Sequence, residues 1–253
     1  MNELLAHLLD LLRAQGWLMA VILLRVGAFT SFLPAFGEQS VPTRVKLVIA
    51  VSLSAIVLSA QPVLPPQPGY RSFLSLLASE TVIGLMLGLG LRLFVMGLQT
   101  AGSMMAQATS LSQILGGAGV EPLPAIGHVL VIGGLALAMI LGLHVHAVLY
   151  LLMSYDVLPV GRWPDGADLA QWGSGLVAQS FRLAFSLAAP FIIISLIYNL
   201  TLGVINRAMP QLMVAFVGAP VITFGGLALL FLLSRQILTV WSERMFAFLT
   251  APF

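Results

Sequence analysis

From Phe73 to Met105 the chain runs for more than thirty residues with Glu80 and Arg92 as its only ionised side chains. As an α-helix this stretch would be about 48 Å long at 1.5 Å per residue, longer than a hydrocarbon core of about 30 Å. A segment that long and that apolar requires tilt, a kink or a portion outside the bilayer. It has company: apolar runs lie near residues 17–33, 45–64, 126–155, 176–205 and 212–238. Six such runs in 253 residues, with 8% charged residues and 59% hydrophobic ones, leave too few charges to cover a soluble globule, which carries about 25%. Mean hydropathy is +1.04. The expected fold is therefore all-α, a polytopic integral membrane protein forming one membrane-embedded domain over residues 1–253.

Several runs are interrupted. Arg25 lies inside the first, where a charge near the bilayer centre costs about 2.5–3.5 kcal/mol on insertion, so it should face protein or water. Leucine-rich residues 4–12, with Glu3, His7 and Asp10, fit an interfacial helix leading into that span. A reverse turn follows over Pro34 to Ser40, and Pro42 suits the opening of the next helix, with Ser40 as a cap. Pro62, Pro65, Pro66, Pro68 and Gly69 mark a linker. Pro190 predicts a kink in the fifth run, and Gly218, Pro220 and Gly225-Gly226 predict breaks in the sixth.

In the long third run Glu80, Gly84, Gly88 and Arg92 recur every fourth residue and share one stripe, with Gly84 and Gly88 forming a G-x-x-x-G groove for another helix. Between the third and fourth runs lies a polar stretch, residues 107–127, QATSLSQILGGAGVEPLPAIG. Gly116, Gly117 and Gly119 permit close backbone approach, while Pro122 and Pro124 disfavour helix at Glu121 and Leu123. It is a loop or a broken helix, and two readings stand: a water-exposed connection, or a gate or plug set against protein or a water-filled space.

Composition also excludes chemistry. The net charge of +2 comes from 11 basic and 9 acidic residues placed singly, which leaves nucleic-acid binding without support. There is no cysteine, so thiolate metal sites and cysteine nucleophiles are excluded. His144 and His146 would point about 200° apart on a helix and could not chelate one metal, and no H-E-x-x-H or G-x-S-x-G occurs. No catalytic, cofactor-binding or metal-binding residue is therefore expected, and the chain should not be an enzyme. The N-terminus lacks the basic start of a signal peptide and should be retained. If the six runs alternate, Arg13, Arg71, Arg162, Arg235 and Arg244 fall on one side and Arg44, Lys46 and Arg207 on the other, a weak vote for a cytoplasmic N-terminus. A small-solute transporter, recruiting Glu80, Arg92, Arg182 and Glu121, is the rival reading, but no repeat between the halves favours it.

Four stretches together resemble one family: residues 25–46 with Pro34-Ala35-Phe36-Gly37 and Val41-Pro42-Thr43-Arg44; Glu80 to Gly88 followed by Gln99-Thr100-Ala101-Gly102; residues 142–161, GLHVHAVLYLLMSYDVLPVG; and residues 202–220, LGVINRAMPQLMVAFVGAP. In order and spacing they are similar to the FliR family, the export-gate subunits of flagellar type III secretion, with injectisome relatives. The chain departs from the family's usual pattern at Glu121-Pro122, at Gly142 to His146 and at Met213.

The resemblance implies a non-enzymatic part of a protein-conducting channel, assembling with FliP- and FliQ-like subunits into a helical ring in the bacterial inner membrane at the flagellar basal body. FlhB- and FlhA-like components would flank it, lipid would surround it, and an unfolded exported protein would be its substrate. An injectisome gate is the alternative. The resemblance also implies that residues 107–127 plug the closed pore. Gly116, Gly117 and Gly119 would supply flexibility and Ile114, Leu115 and Val120 an apolar seal, with Glu121 and Pro122 in the same loop. Arg207 and Pro210 would set the geometry of the last helix pair, and Arg25, Arg92 and Arg182 would find carboxylates or carbonyls in neighbouring subunits.

Overall fold

The computed structural model describes residues 2–60, 70–110, 125–209 and 214–252. Within them the chain forms seven α-helices: α1 Asn2–Phe32, α2 Thr43–Ala60, α3 Tyr70–Ser110, α4 Ala125–Ile140, α5 Leu143–Val157, α6 Gly166–Ala208 and α7 Val214–Thr250. Five of these are long and apolar enough to cross a membrane, or six spans if α4 and α5 count as one broken crossing. The polytopic all-α assignment holds.

Local chemistry explains most helix ends. The leucine-rich start is continuous with the first span in α1. After it the chain reverses: Leu33 donates to the Phe29 carbonyl at 3.0 Å and Gly37 to that of Leu33 at 2.7 Å. Ala35 adopts a φ of 69° there. A Cβ on Gly37 would collide with the Ser31 carbonyl, so the turn closes only with glycine. Pro42 precedes α2, and its carbonyl accepts from Val45 at 2.9 Å and Lys46 at 3.2 Å.

Three expected boundaries differ. The fourth apolar run is two helices, because Gly142 takes a left-handed φ of 84° and ends the first. The sixth run is not broken at Gly218, Pro220 or Gly225-Gly226, since α7 passes through all of them. Gly218 and Gly226 serve contact instead, Cβ atoms there falling 2.9 Å from the Tyr198 hydroxyl and into Thr109 respectively. Nor does α7 stop at residue 238. Ile237, Trp241, Met245, Phe248 and Leu249 keep a buried helical stripe going while Glu243 and Arg244 stay exposed. Pro190 lies inside α6, which is one helix from Gly166 to Ala208.

The helices form two compact units. The first comprises Met1–Arg92, Leu141–Ser174 and Phe246–Phe253; the second comprises Leu93–Ile140 and Gly175–Met245. In the first, Val26 and Phe29 of α1 and Leu33 just beyond it are buried, as are Ile83, Leu87 and Leu91 of α3 and Ala147, Tyr150 and Leu151 of α5. Tyr150 stands edge-on to Phe29 and to Phe248, with ring centroids 6.0 and 5.7 Å away.

Small residues make the closest helix contacts in the second unit. The Gly102 and Gly127 backbones meet so closely that a Cβ on Gly102 would overlap the Gly127 Cα. Gly134 faces the buried ring of Trp241, whose Nε1 donates to the Phe94 carbonyl at 2.8 Å. The hydroxyls of Ser180 and Ser195 donate to the carbonyls of Leu93 and Ala108, at 2.8 and 2.6 Å. Close backbone approach with hydroxyl cross-links is how helices associate where lipid offers no hydrophobic contrast.

Candidate functional site

The first unit holds the one concentration of buried charge among the described residues. Arg25 of α1 and Glu80 of α3 are both fully buried. Arg25 Nε donates to Glu80 Oε2 at 2.8 Å and Nη2 to Oε1 at 3.1 Å, a bidentate pair. The remaining donors are also used. Nη1 reaches the Ser154 carbonyl and hydroxyl, each at 3.3 Å, and Nη2 reaches the Leu158 carbonyl at 2.9 Å. The guanidinium carbon sits 3.9 Å from the centroid of the Tyr155 ring.

Glu80 Oε1 in turn accepts the Gly161 N–H at 2.9 Å. Gly161 has a φ of 77°, which glycine adopts without strain. Removing two ions from water costs several kcal/mol each, and a pair is tolerated only when the other hydrogen-bonding positions are filled, as they are here. The guanidinium also lies on the last carbonyls of α5, where the helix dipole favours a cation.

Below this pair the glycine stripe seats α1 against α3. A Cβ on Gly84 would collide with the Arg25 carbonyl and lie 2.9 Å from Ala28 Cβ. One on Gly88 would lie 2.8 Å from the Phe29 carbonyl oxygen and 2.9 Å from Phe32 Cβ. At the foot, Arg92 makes a two-armed contact with Glu38 of the reverse turn, its Nη2 donating to Oε2 at 3.2 Å. Lys46 Nζ donates to the Gly37 carbonyl of the same turn at 3.0 Å.

Glu80, Gly84, Gly88 and Arg92 are thus met in order by Arg25, Ala28, Phe29 with Phe32, and Glu38. The expectation that Arg25 and Arg92 pair with neighbouring subunits is corrected: both find carboxylates in their own chain. Arg182 is exposed on α6 and Arg207 in the last turn of the same helix. Pro210 and the proposed plug residues Ile114, Leu115, Gly116, Gly117, Gly119, Val120, Glu121 and Pro122 lie outside the described residues. The helices flanking that stretch are anchored, α3 through Ala108 and Thr109 and α4 through Gly127.

Sequence reasoning missed Ser154, Tyr155, Leu158, Gly161 and Glu38. In the sequence, residues 142–161 stand out only as a block, and the available signal is Gly161 following Pro159 in a polar turn. The arrangement of the network fixes three chain segments in register.

Fold and site together define a polytopic helical membrane protein whose first helices are locked by a buried charge pair. The chain belongs to the family of bacterial export proteins, family 1, which matches residues 17–248. It is similar to the flagellar biosynthetic protein FliR of Caulobacter vibrioides, 35% identical over 235 residues, covering 91% of this chain and 93% of that one. It is also similar to the proteins of the same name from Aquifex aeolicus, 29% identical over 94% of this chain and 93% of that one, and from Escherichia coli, 30% identical over 89% and 87%.

Proposed function

We propose that this chain is a non-enzymatic subunit of the flagellar type III protein export gate, resident in the inner membrane at the flagellar basal body. The observation that carries this reading is the end-to-end similarity to flagellar biosynthetic FliR proteins, 35% identical across nine-tenths of the chain in one case. The all-helical membrane architecture and the absence of any catalytic motif in the sequence support it. In this reading the chain joins FliP- and FliQ-like subunits in a helical ring, with FlhB- and FlhA-like components alongside, and forms part of the conduit for unfolded flagellar proteins.

Of residues 107–127, Gln107 to Ser110 belong to α3 and Ala125 to Gly127 to α4, so the plug in this reading is the remainder, residues 111–124. Ile114, Leu115 and Val120 exclude water from the closed pore, and Gly116, Gly117 and Gly119 let the loop yield to substrate. The test is genetic and biochemical. Deleting the gene should abolish motility and export of hook and filament proteins, and a plasmid copy should restore both. A tagged chain purified in mild detergent should carry FliP- and FliQ-like proteins with it; export intact in the deletion, or a clean monomer, would refute the proposal. Removing residues 116–119 should leave assembly unchanged and make the closed particle conduct ions, and unchanged conductance would remove the plug from the reading.

A further inference from the structure

We infer that Ser195, oriented by Asn199, is the latch that holds the last turn of α3 and so sets how firmly the plug is seated, a regulation that rests on the plug reading above. The latch lies wholly within the second unit. Ser195 is 4% exposed, and its hydroxyl donates to the Ala108 carbonyl at 2.6 Å. Ala108 belongs to the final turn of α3, which ends at Ser110, and carbonyls in a last turn have no amide of their own helix to accept from. One turn further along α6, Asn199 Nδ2 donates to the Ser195 carbonyl at 2.8 Å and to its hydroxyl oxygen at 3.1 Å.

The second of those bonds directs the hydroxyl. A helical serine readily turns its proton onto a carbonyl three or four residues back, as Ser54, Ser103 and Ser186 do here toward Ala50, Gln99 and Arg182. With the Asn199 amide on its oxygen, Ser195 instead points its proton across to α3. The position over the Phe191 carbonyl, four residues back, is one side-chain rotation away. Ser195 can therefore leave Ala108 without losing a partner, and the helix end that it frees is a single turn.

The other contacts at this level do not replace the latch. Thr109 sets its methyl against the bare backbone of α7, where a Cβ on Gly226 would overlap it. That contact limits approach without resisting withdrawal. On the return side, Gly127 of α4 packs on Gln99 and Gly102. Gly102 precedes Ser110 by eight residues, about 12 Å along α3, whereas a chain as long as residues 111–124 can extend about 46–50 Å. Its ends do not pull it tight, so the direction in which the chain leaves α3 depends on the last turn staying wound.

The test compares three serines of α6 in the tagged chain purified with its partners. Ser195→Ala removes the latch. Ser180→Ala removes a cross-helix bond of the same kind, to the Leu93 carbonyl at 2.8 Å, well before the end of α3. Ser186→Ala removes only a bond within α6. Amide hydrogen exchange over residues 105–110 should quicken about 5-fold in Ser195→Ala and stay native in the other two. Asn199→Ala should quicken it in the same direction, and Ser195→Thr, which keeps a hydroxyl, should not. Unchanged exchange in Ser195→Ala would overturn the latch.

Ion conductance of the same particles in planar bilayers gives the functional arm. Ser195→Ala should raise the conducting fraction at rest about 5-fold, with Ser180→Ala closed. An equal leak in Ser180→Ala would reduce the effect to general packing and overturn the inference. If removal of residues 116–119 conducts while Ser195→Ala stays closed, the latch fails and the plug stands. If both stay closed, the plug reading fails, and this regulation with it.

Discussion

The two units of this chain solve the same packing problem with different chemistry. The first keeps a buried ion pair at its centre, Arg25 with Glu80, and builds hydrogen bonds to three chain segments around it. The second buries no ionised side chain among its described residues. It relies on glycine contacts, serine hydroxyls donating to carbonyls and one buried tryptophan. The difference lies in what each device specifies. A charge pair with filled hydrogen bonds fixes register, because any slip leaves a charge unpaired, whereas small residues fix distance and leave register to many weak contacts.

Substitutions in the first unit should therefore be the more costly. Arg25→Ala or Glu80→Ala leaves an uncompensated buried charge and should lower stability by about 3–5 kcal/mol. Denaturant titration in detergent would measure it, and an Arg25→Met, Glu80→Leu double variant should recover part of the loss. Recovery greater than the loss would show that the pair specifies register at a cost in stability.

Overpacking tests the distance-setting contacts of both units. Gly84→Val should force α1 off α3, and Gly102→Val should part α3 from α4, each by about 1–3 kcal/mol or more. By contrast Gly16→Ala, where a Cβ meets nothing within 4 Å, should stabilise slightly through helix propensity. Equal effects at Gly84 and Gly16 would undo the account of the stripe. Trp241→Phe keeps an aromatic ring but deletes the bond to Phe94 and leaves a small void, and should cost about 1–3 kcal/mol in the same titration. Arg92→Gln should have the smallest effect, about 0–1 kcal/mol and declining with salt, because Arg92 and Glu38 are partly exposed.

Much of this was legible before the structure. Runs of uncharged residues identify membrane helices because lipid forbids unpaired backbone groups, and the four-residue spacing of Glu80, Gly84, Gly88 and Arg92 identifies a contact face through helical geometry alone. What spacing cannot give is the partner. Glu38 sits in a turn and the Ser154 carbonyl is backbone, so neither carries a periodic signal.

Breaks were legible only in part, for the same reason. Gly142 ends a helix and Gly218 does not, although both are glycines in apolar runs. Gly142 takes a positive φ, while Gly218 lies against Tyr198 and Leu202. That choice is made by tertiary neighbours.

The buried pair also imposes an order in time. Glu80 lies 55 residues after Arg25, and Ser154 lies 129 after it. At about 5–20 residues per second of synthesis, α1 waits roughly 3–11 s for its carboxylate and two to three times as long for its last carbonyl. During that interval the first helix presents an unmatched cation to the insertion machinery. A nascent chain halted before Glu80 should hold α1 weakly in the membrane, and one extended past Gly161 should hold it firmly, the difference being the partners of one guanidinium.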